Sequence, residues 1–217
     1  MKNKRLEAIF FDFDGVIVDS TAIKTEAFRT LFGAYDNETV EKVLHHHRLH
    51  GGISRIDKIA YAHSEIIGKP LTRPEVDRWA ADYSGLVVER VIATSLVAGV
   101  EQFFQKRPGH LKIFLVSGTP EQELKHIVDK RNLAGFFDQI LGSPTKKPVH
   151  IRHLLQRYDL DCSRCVFVGD ATTDYEASRE TGLDFIGIQS DVDFPPGTVV
   201  LPDCSLLYDT IDSNYQW

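Results

Sequence analysis

Two aspartates two positions apart, Asp12 and Asp14, end the apolar run EAIFF and stand directly ahead of Gly15 in the stretch FFDFDGVIVDS. In an extended strand, residues i and i+2 project to one side, so the two carboxylates point together while Phe13 points away. Carboxylates held that close repel each other unless positive charge sits beside them. A divalent cation with oxygen ligands is the natural partner, and Mg²⁺ is the usual one where phosphates are handled. Gly15 lets the backbone turn sharply and approach a ligand without a side chain in the way. A second acidic pair, Asp170 and Asp174 in VGDATTD, is able to complete a metal site. Ser117, Gly118 and Thr119 in VSGT offer a hydroxyl and backbone N–H groups at an expected helix start, suited to a phosphoryl oxygen. The stretch GSPTKKP adds Lys146 and Lys147 in a loop ahead of another helix.

These groups act together only if the fold brings them to one edge. Residues 7 to 11 read as a strand, and four further apolar runs follow: KIFLV at 112 to 116, FDQIL at 137 to 141, CVFVG at 165 to 169 and DFIGI at 184 to 188. Continuous apolar runs alternating with helical patterns predict an α/β, Rossmann-like core with a parallel sheet of about five strands joined by right-handed crossovers. Thr119 to Gln122 and Thr173 to Glu176 each fit a capping box, which predicts helices starting just after strands, and Gly182 ends the second. In such a sheet the ligand crevice lies beyond the carboxyl ends of the strands.

Residues 20–95 hold no convincing strand and several amphipathic stretches, and are expected to form an inserted all-helical domain within a core of residues 1–19 and 96–217. Ile56, Ile59, Ala60, His63, Ile66 and Ile67 keep the helical period after Ser54, as do Val76, Trp79, Ala80, Tyr83, Leu86, Val87 and Val91 after Thr72. Beyond about residue 203 the pattern is uninformative.

The 217 residues suffice for one sizeable core with a smaller insertion. A formal net charge of −6 and an isoelectric point near 5.8 argue against nucleic acid as the main partner. No run approaches the roughly 20 apolar residues of a membrane span. MKNKRLEAIFF is too short in its apolar part to read as a secretory signal, so a cytoplasmic location with reduced thiols is expected. Cys162 and Cys165 form a CxxC with no second pair to complete a zinc site.

With its motifs in this order, the sequence resembles the haloacid dehalogenase superfamily of phosphohydrolases over nearly its whole length. DFDGV at 12 to 16 is similar to the first family motif, Ser117 to the second, Lys147 to the third, and Gly169-Asp170 with Asp174 to the fourth. The resemblance implies a Mg²⁺-dependent phosphatase that acts through an aspartyl phosphate. Asp12 would be the nucleophile, Asp14 the acid/base, and Lys147 the neutralising cation, with Lys146 the alternative. Ser117, Gly118 and Thr119 would bind phosphoryl oxygens. The metal would be held by Asp12, the Asp14 carbonyl and Asp170, with Asp174 a ligand or an orienting neighbour. Asp14 favours phosphoryl transfer over dehalogenation, because a halide leaving group needs no proton.

The insertion resembles the helical cap that closes over small phosphorylated metabolites, such as sugar phosphates or phospho-acids. GGISR at 51 to 55 is similar to the specificity loop of members like β-phosphoglucomutase and phosphoglycolate phosphatase, with Arg55 the candidate for a distal anion. Lys24 stands where the mutases of this group often carry a histidine, and no counterpart of their cap lysine is evident. A mutase on the same core remains the alternative, and a non-catalytic binding or regulatory protein the more distant one. Asp19 and Ser20 stand at the hinge, to contact substrate or cap the first helix. His45, His46, His47 and His50 read as a surface cluster on a polar helix face. A monomer or homodimer is expected.

Overall fold

The computed structural model of the chain describes residues 5–217. Six strands, β1 (Ala8–Phe11), β2 (Lys112–Pro120), β3 (Gln139–Ser143), β4 (Cys165–Gly169), β5 (Asp184–Ile188) and β6 (Val199–Leu201), form one sheet in the order β3-β2-β1-β4-β5-β6, all parallel. The sixth strand corrects the expectation of about five. It is three residues long with two half-exposed valines, so neither length nor alternation marks it in the sequence. The third strand starts two residues later than the apolar run FDQIL, because Phe137 and Asp138 connect the 3-10 turn Ala134–Phe136 to it.

Continuous apolar strands follow from burial on both faces. Ala8 and Phe10 pack with Phe114, Phe167, Ile151 and Leu154 on the side of α7 (Lys147–Arg157) and α8 (Thr172–Thr181). Ile9 and Phe11 belong to the opposite layer with α5 (Val100–Lys106), α6 (Glu121–Lys130) and α9 (Leu207–Asn214). After β1 the chain builds outward through β2 and β3, then returns to the other side of β1 with β4. The carboxyl ends of β1 and β4 therefore flank the point where the strand order reverses, the usual place for a crevice.

Between β1 and α5 lie α1 (Thr21–Leu31), α2 (Asn37–Leu49), α3 (Arg55–Tyr61) and α4 (Arg73–Ala93), with a π-helical turn over Ala62–Ile66. Both periodic stretches form helices as expected: Ser54 caps α3, and Thr72 with Glu75 makes a capping box at α4. The apolar stripe of α4 buries Val76, Tyr83, Val87 and Val91. This helical segment leaves and rejoins the sheet through paired linkers. Val18 bridges Leu96, Asp19 N donates to Ser95 O, and Val97 N donates to Ile17 O.

Candidate active site

Asp12 directly follows β1, and its N–H donates to Val168 O at 3.0 Å, which ties it beside the end of β4. Asp170 directly follows β4, and Asp174 stands in the first turn of α8. Carboxylate oxygens of Asp12, Asp170 and Asp174 all lie within 4.8 Å of one another. Gly15 has φ of +78°, and a Cβ there would collide with the Asp170 carboxylate, so only glycine admits this turn.

One cation stands inside the cluster. Lys147, buried in the first turn of α7, places Nζ 2.8 Å from Asp12 Oδ1 and 2.5 Å from Asp174 Oδ1. Lys146 is the exposed residue ahead of the helix, so of the two lysines it is Lys147 that reaches Asp12. Both Asp174 oxygens are engaged, since Oδ2 accepts from Ala171 N at 3.1 Å. Three carboxylates against one ammonium leave an excess of negative charge. Burial pushes the Asp12 carboxyl up to about 6 against the pull of Lys147, and burial with the Asp12 charge pushes Asp170 well above the usual range. Burial disfavours the Lys147 ammonium, but Asp12 and Asp174 outweigh it and raise its pKa.

Asp14 is held apart from this cluster by three donors. Ser20 Oγ donates to Oδ1 at 2.6 Å, Thr119 Oγ1 donates to Oδ2 at 3.1 Å, and Lys24 forms an ion pair with Oδ2. Burial works against the Asp14 charge, but Lys24 and these hydroxyls hold its carboxyl below the ordinary value. Lys24 also donates to Thr119 Oγ1 at 2.8 Å, so α1 and β2 grip one carboxylate together.

Three expected helix caps turn their hydroxyls to other partners instead. β2 runs on to Pro120 and α6 begins at Glu121, so Thr119 is no helix cap and its hydroxyl turns to Asp14. Ser20 precedes α1 yet makes no cap hydrogen bond, and its hydroxyl also goes to Asp14. Likewise α8 starts at Thr172, and Thr173 Oγ1 reaches out to Gly51 O at 2.7 Å. Ser117 is buried at the end of the sheet and its Oγ accepts from Thr119 N at 3.2 Å.

The helical segment covers these groups and encloses a cavity of about 590 Å³. Asp12, Asp14, Gly15, Ser117, Gly118, Thr119 and Asp170 line it from the sheet, and Lys24, His47, Gly51, Gly52, Arg55 and Lys58 from the helices. Contact between the two halves is close: a Cβ on Gly118 would collide with Gly52 O, and one on Gly52 with Thr173 Oγ1. Asp19 lines the cavity as an exposed carboxylate.

Arg55, the candidate for a distal anion, lines the cavity, but its guanidinium is engaged. It pairs with both oxygens of Glu123 on α6, donates to Ser84 Oγ at 2.5 Å and lies 4.7 Å above the Tyr83 ring. Sequence reasoning missed Glu123 and also Lys58. The position of Lys58 three residues after Arg55, on the same helix face, was the available signal. The histidine cluster divides. His46 stacks on His50 and Tyr61, whereas His47 turns inward onto Phe28 and accepts a hydrogen bond from Lys58, which corrects its reading as surface.

Several known proteins are similar to this chain. The phosphoglycolate phosphatase of Colwellia psychrerythraea is 22% identical over 198 residues, with 87% of this chain and 86% of that protein covered. The 6-phosphogluconate phosphatase of Escherichia coli is 24% identical, with 83% of this chain and 81% of that protein covered. The crystal structure of β-phosphoglucomutase from Clostridium difficile superposes with a TM-score of 0.76 at 19% identity, covering 97% of both chains, and shares the fold. The family model of the haloacid dehalogenase-like hydrolases matches residues 6–182, and this chain belongs to that family.

Proposed function

We propose that the protein is a Mg²⁺-dependent phosphatase that hydrolyses a small phosphomonoester through a covalent aspartyl phosphate on Asp12. The observation that carries this reading is the cluster of Asp12, Asp170 and Asp174 around a single Lys147, beside a buried Ser117, in a covered cavity. The two similar phosphatases support the substrate class, since both names specify small phosphorylated acids.

The donor set fits a hard divalent cation. Its ligands are oxygens, its charge is in surplus, and Asp12 and Asp170 are both pushed up by crowding and burial that a cation would relieve. Asp12, Asp170 and the Asp14 carbonyl would hold Mg²⁺. Asp174, with one oxygen on Lys147 and the other on Ala171 N, suits the orienting role better than direct ligation. When bound, the metal neutralises charge on the phosphoryl oxygens and on the attacking carboxylate.

The remaining chemistry belongs to the side chains. A carboxylate oxygen of Asp12 attacks phosphorus, and the bond from phosphorus to the leaving oxygen breaks while Asp14, ionised beside Lys24 in the free protein, passes to that oxygen a proton it takes up with the substrate. Asp14 then takes a proton from a water, whose oxygen attacks phosphorus and frees Asp12. Such acid/base service contributes typically about 10² to 10⁴ in rate. Lys147 offsets charge on Asp12 and the transferring group, which is where most of the catalysis of phosphoryl transfer lies. Ser117 Oγ accepts from Thr119 N and so keeps its own proton to donate to a phosphoryl oxygen. The helical segment limits access of bulk water and sets which leaving group fits.

The test is phosphate release from a panel containing phosphoglycolate, 6-phosphogluconate, neutral sugar phosphates and nucleotides, with Mg²⁺ or EDTA. The expected result is release that EDTA and Asp12→Asn each abolish. Release that persists in Asp12→Asn, or none from any compound, overturns the reading.

A further inference from the structure

The basic side chains at the site fall into two groups. Lys147 is paired with Asp12 and Asp174, Lys24 with Asp14, and Arg55 with Glu123. Arg48 also lines the cavity but is exposed to water, so among the buried cations Lys58 is the exception. It is only 6% exposed, yet among the described residues its Nζ meets no carboxylate within ion-pair distance. Its partners are the Nδ1 of His47 at 3.0 Å and the His47 carbonyl at 3.2 Å, both on α2. An ammonium withdrawn from water without a counter-charge is costly, and a cavity-facing one gains its counter-charge from whatever binds there.

Its surroundings fix what that ligand is. Lys58 lines the cavity that holds Asp12 and Asp14, and is near enough to their end of the sheet for its charge to be felt with those of Lys24, Asp14, Asp170 and Lys147. His47 cannot serve as an anion. Burial, then the Lys58 charge, pushes its imidazole down to about 2, so it stays a neutral acceptor that holds the ammonium in place. Arg55, the other buried cation on α3, has its fork filled by Glu123. The phosphoryl group is already provided for by Lys147 and Ser117. Lys58 therefore has no counterpart in a substrate whose only anion is the phosphoryl group undergoing transfer.

We propose that Lys58, held by His47, is an anion subsite in the helical segment, and that the substrate is a phosphomonoester carrying a second oxyanion, a carboxylate or another phosphoryl group. This rests on the phosphatase reading and narrows it. Lys58 sets specificity, while Arg55 with Glu123 joins the two halves of the cavity.

The experiment compares wild type, Lys58→Met and Lys58→Arg on matched pairs of substrates: phosphoglycolate against phosphoethanol, 6-phosphogluconate against glucose 6-phosphate, and a sugar bisphosphate against its monophosphate. Wild type is expected to prefer the doubly anionic member of a pair. In Lys58→Met that preference in kcat/KM falls at least about 30-fold, mainly through KM, because a buried charge loses its partner. Lys58→Arg restores part of it. Carboxylate and bisphosphate arms show which second oxyanion is read.

Binding of the same compounds to Asp12→Asn by calorimetry separates the subsite from the chemistry. Tighter binding of the doubly anionic member, lost when Lys58→Met is added, supports the subsite even if nothing is turned over. Equal or undetectable binding within every pair, or an unchanged preference in Lys58→Met, overturns it. Turnover by wild type without preference overturns the subsite alone and leaves the phosphatase reading standing.

Discussion

Lys147 and Asp12, 135 positions apart in the chain, lie with Nζ 2.8 Å from Oδ1 at the reversal point of the sheet. Neither group is stable there alone. The lysine has two carboxylates to satisfy its ammonium, and those carboxylates have one buried cation to offset them.

Lys147→Met is therefore expected to lower kcat about 10²- to 10³-fold, the usual cost of removing a preorganised charge from a reacting centre. It leaves Asp12 and Asp174 facing each other uncompensated, so the metal-free protein should melt at lower temperature than wild type and regain more of its Tm on addition of Mg²⁺. Steady-state rates together with melting curves in EDTA and in Mg²⁺ check both. An unchanged kcat contradicts the role given to Lys147.

Arg55 and Glu123 join α3 to α6 at exposures of 5% and 12%. Arg55→Met or Glu123→Gln alone strands a nearly buried partner and is expected to destabilise by roughly 3–5 kcal/mol. The double variant should recover much of the loss, which makes the coupling visible in a double-mutant cycle by urea unfolding. Additive losses would mean that the pair does not join the two halves.

Lys58 makes stability depend on pH. Burial, followed by the Lys24 charge and opposed by Asp14 and Asp170, pushes its ammonium down from 10.5 to about 7, with Lys147 adding to the depression and His47 in direct contact. The unfolded chain then binds more protons at this group than the folded one. The penalty is fully present below pH 7 and is relieved as pH rises from 7 toward 10.5. Relative to Lys58→Met, wild type should be least stable at pH 6 and gain ground steadily to pH 9.5, read from paired urea titrations of metal-free protein. A constant difference across that range contradicts a buried, unpaired ammonium.

Particular residues show what the sequence made legible. Asp12, Ser117, Lys147 and Asp170 could be picked out because each directly follows an apolar run or opens the helix after one, and strand ends in a parallel sheet share an edge. Ser54 and Thr72 cap helices as their local patterns predict. Thr119 and Ser20 follow the same local rule and break it, because a buried carboxylate at Asp14 competes for their hydroxyls more strongly than a solvated helix end does. The pairing of Arg55 with Glu123, 68 positions away, and the inward turn of His47 beside Lys58 have no local signature. They arise when one half of the molecule closes on the other, which spacing along a chain does not encode.

The central claim is that Asp12 takes the phosphoryl group before water does. Each in-line displacement inverts phosphorus, so two in succession retain its configuration. The most direct measurement is the stereochemical course of hydrolysis in water of a thiophosphoryl substrate made chiral by oxygen isotopes, on the best compound from the panel. Net retention is predicted, with the reaction absent in Asp12→Asn. Net inversion would mean that water attacks the substrate directly, and would contradict a covalent intermediate on Asp12.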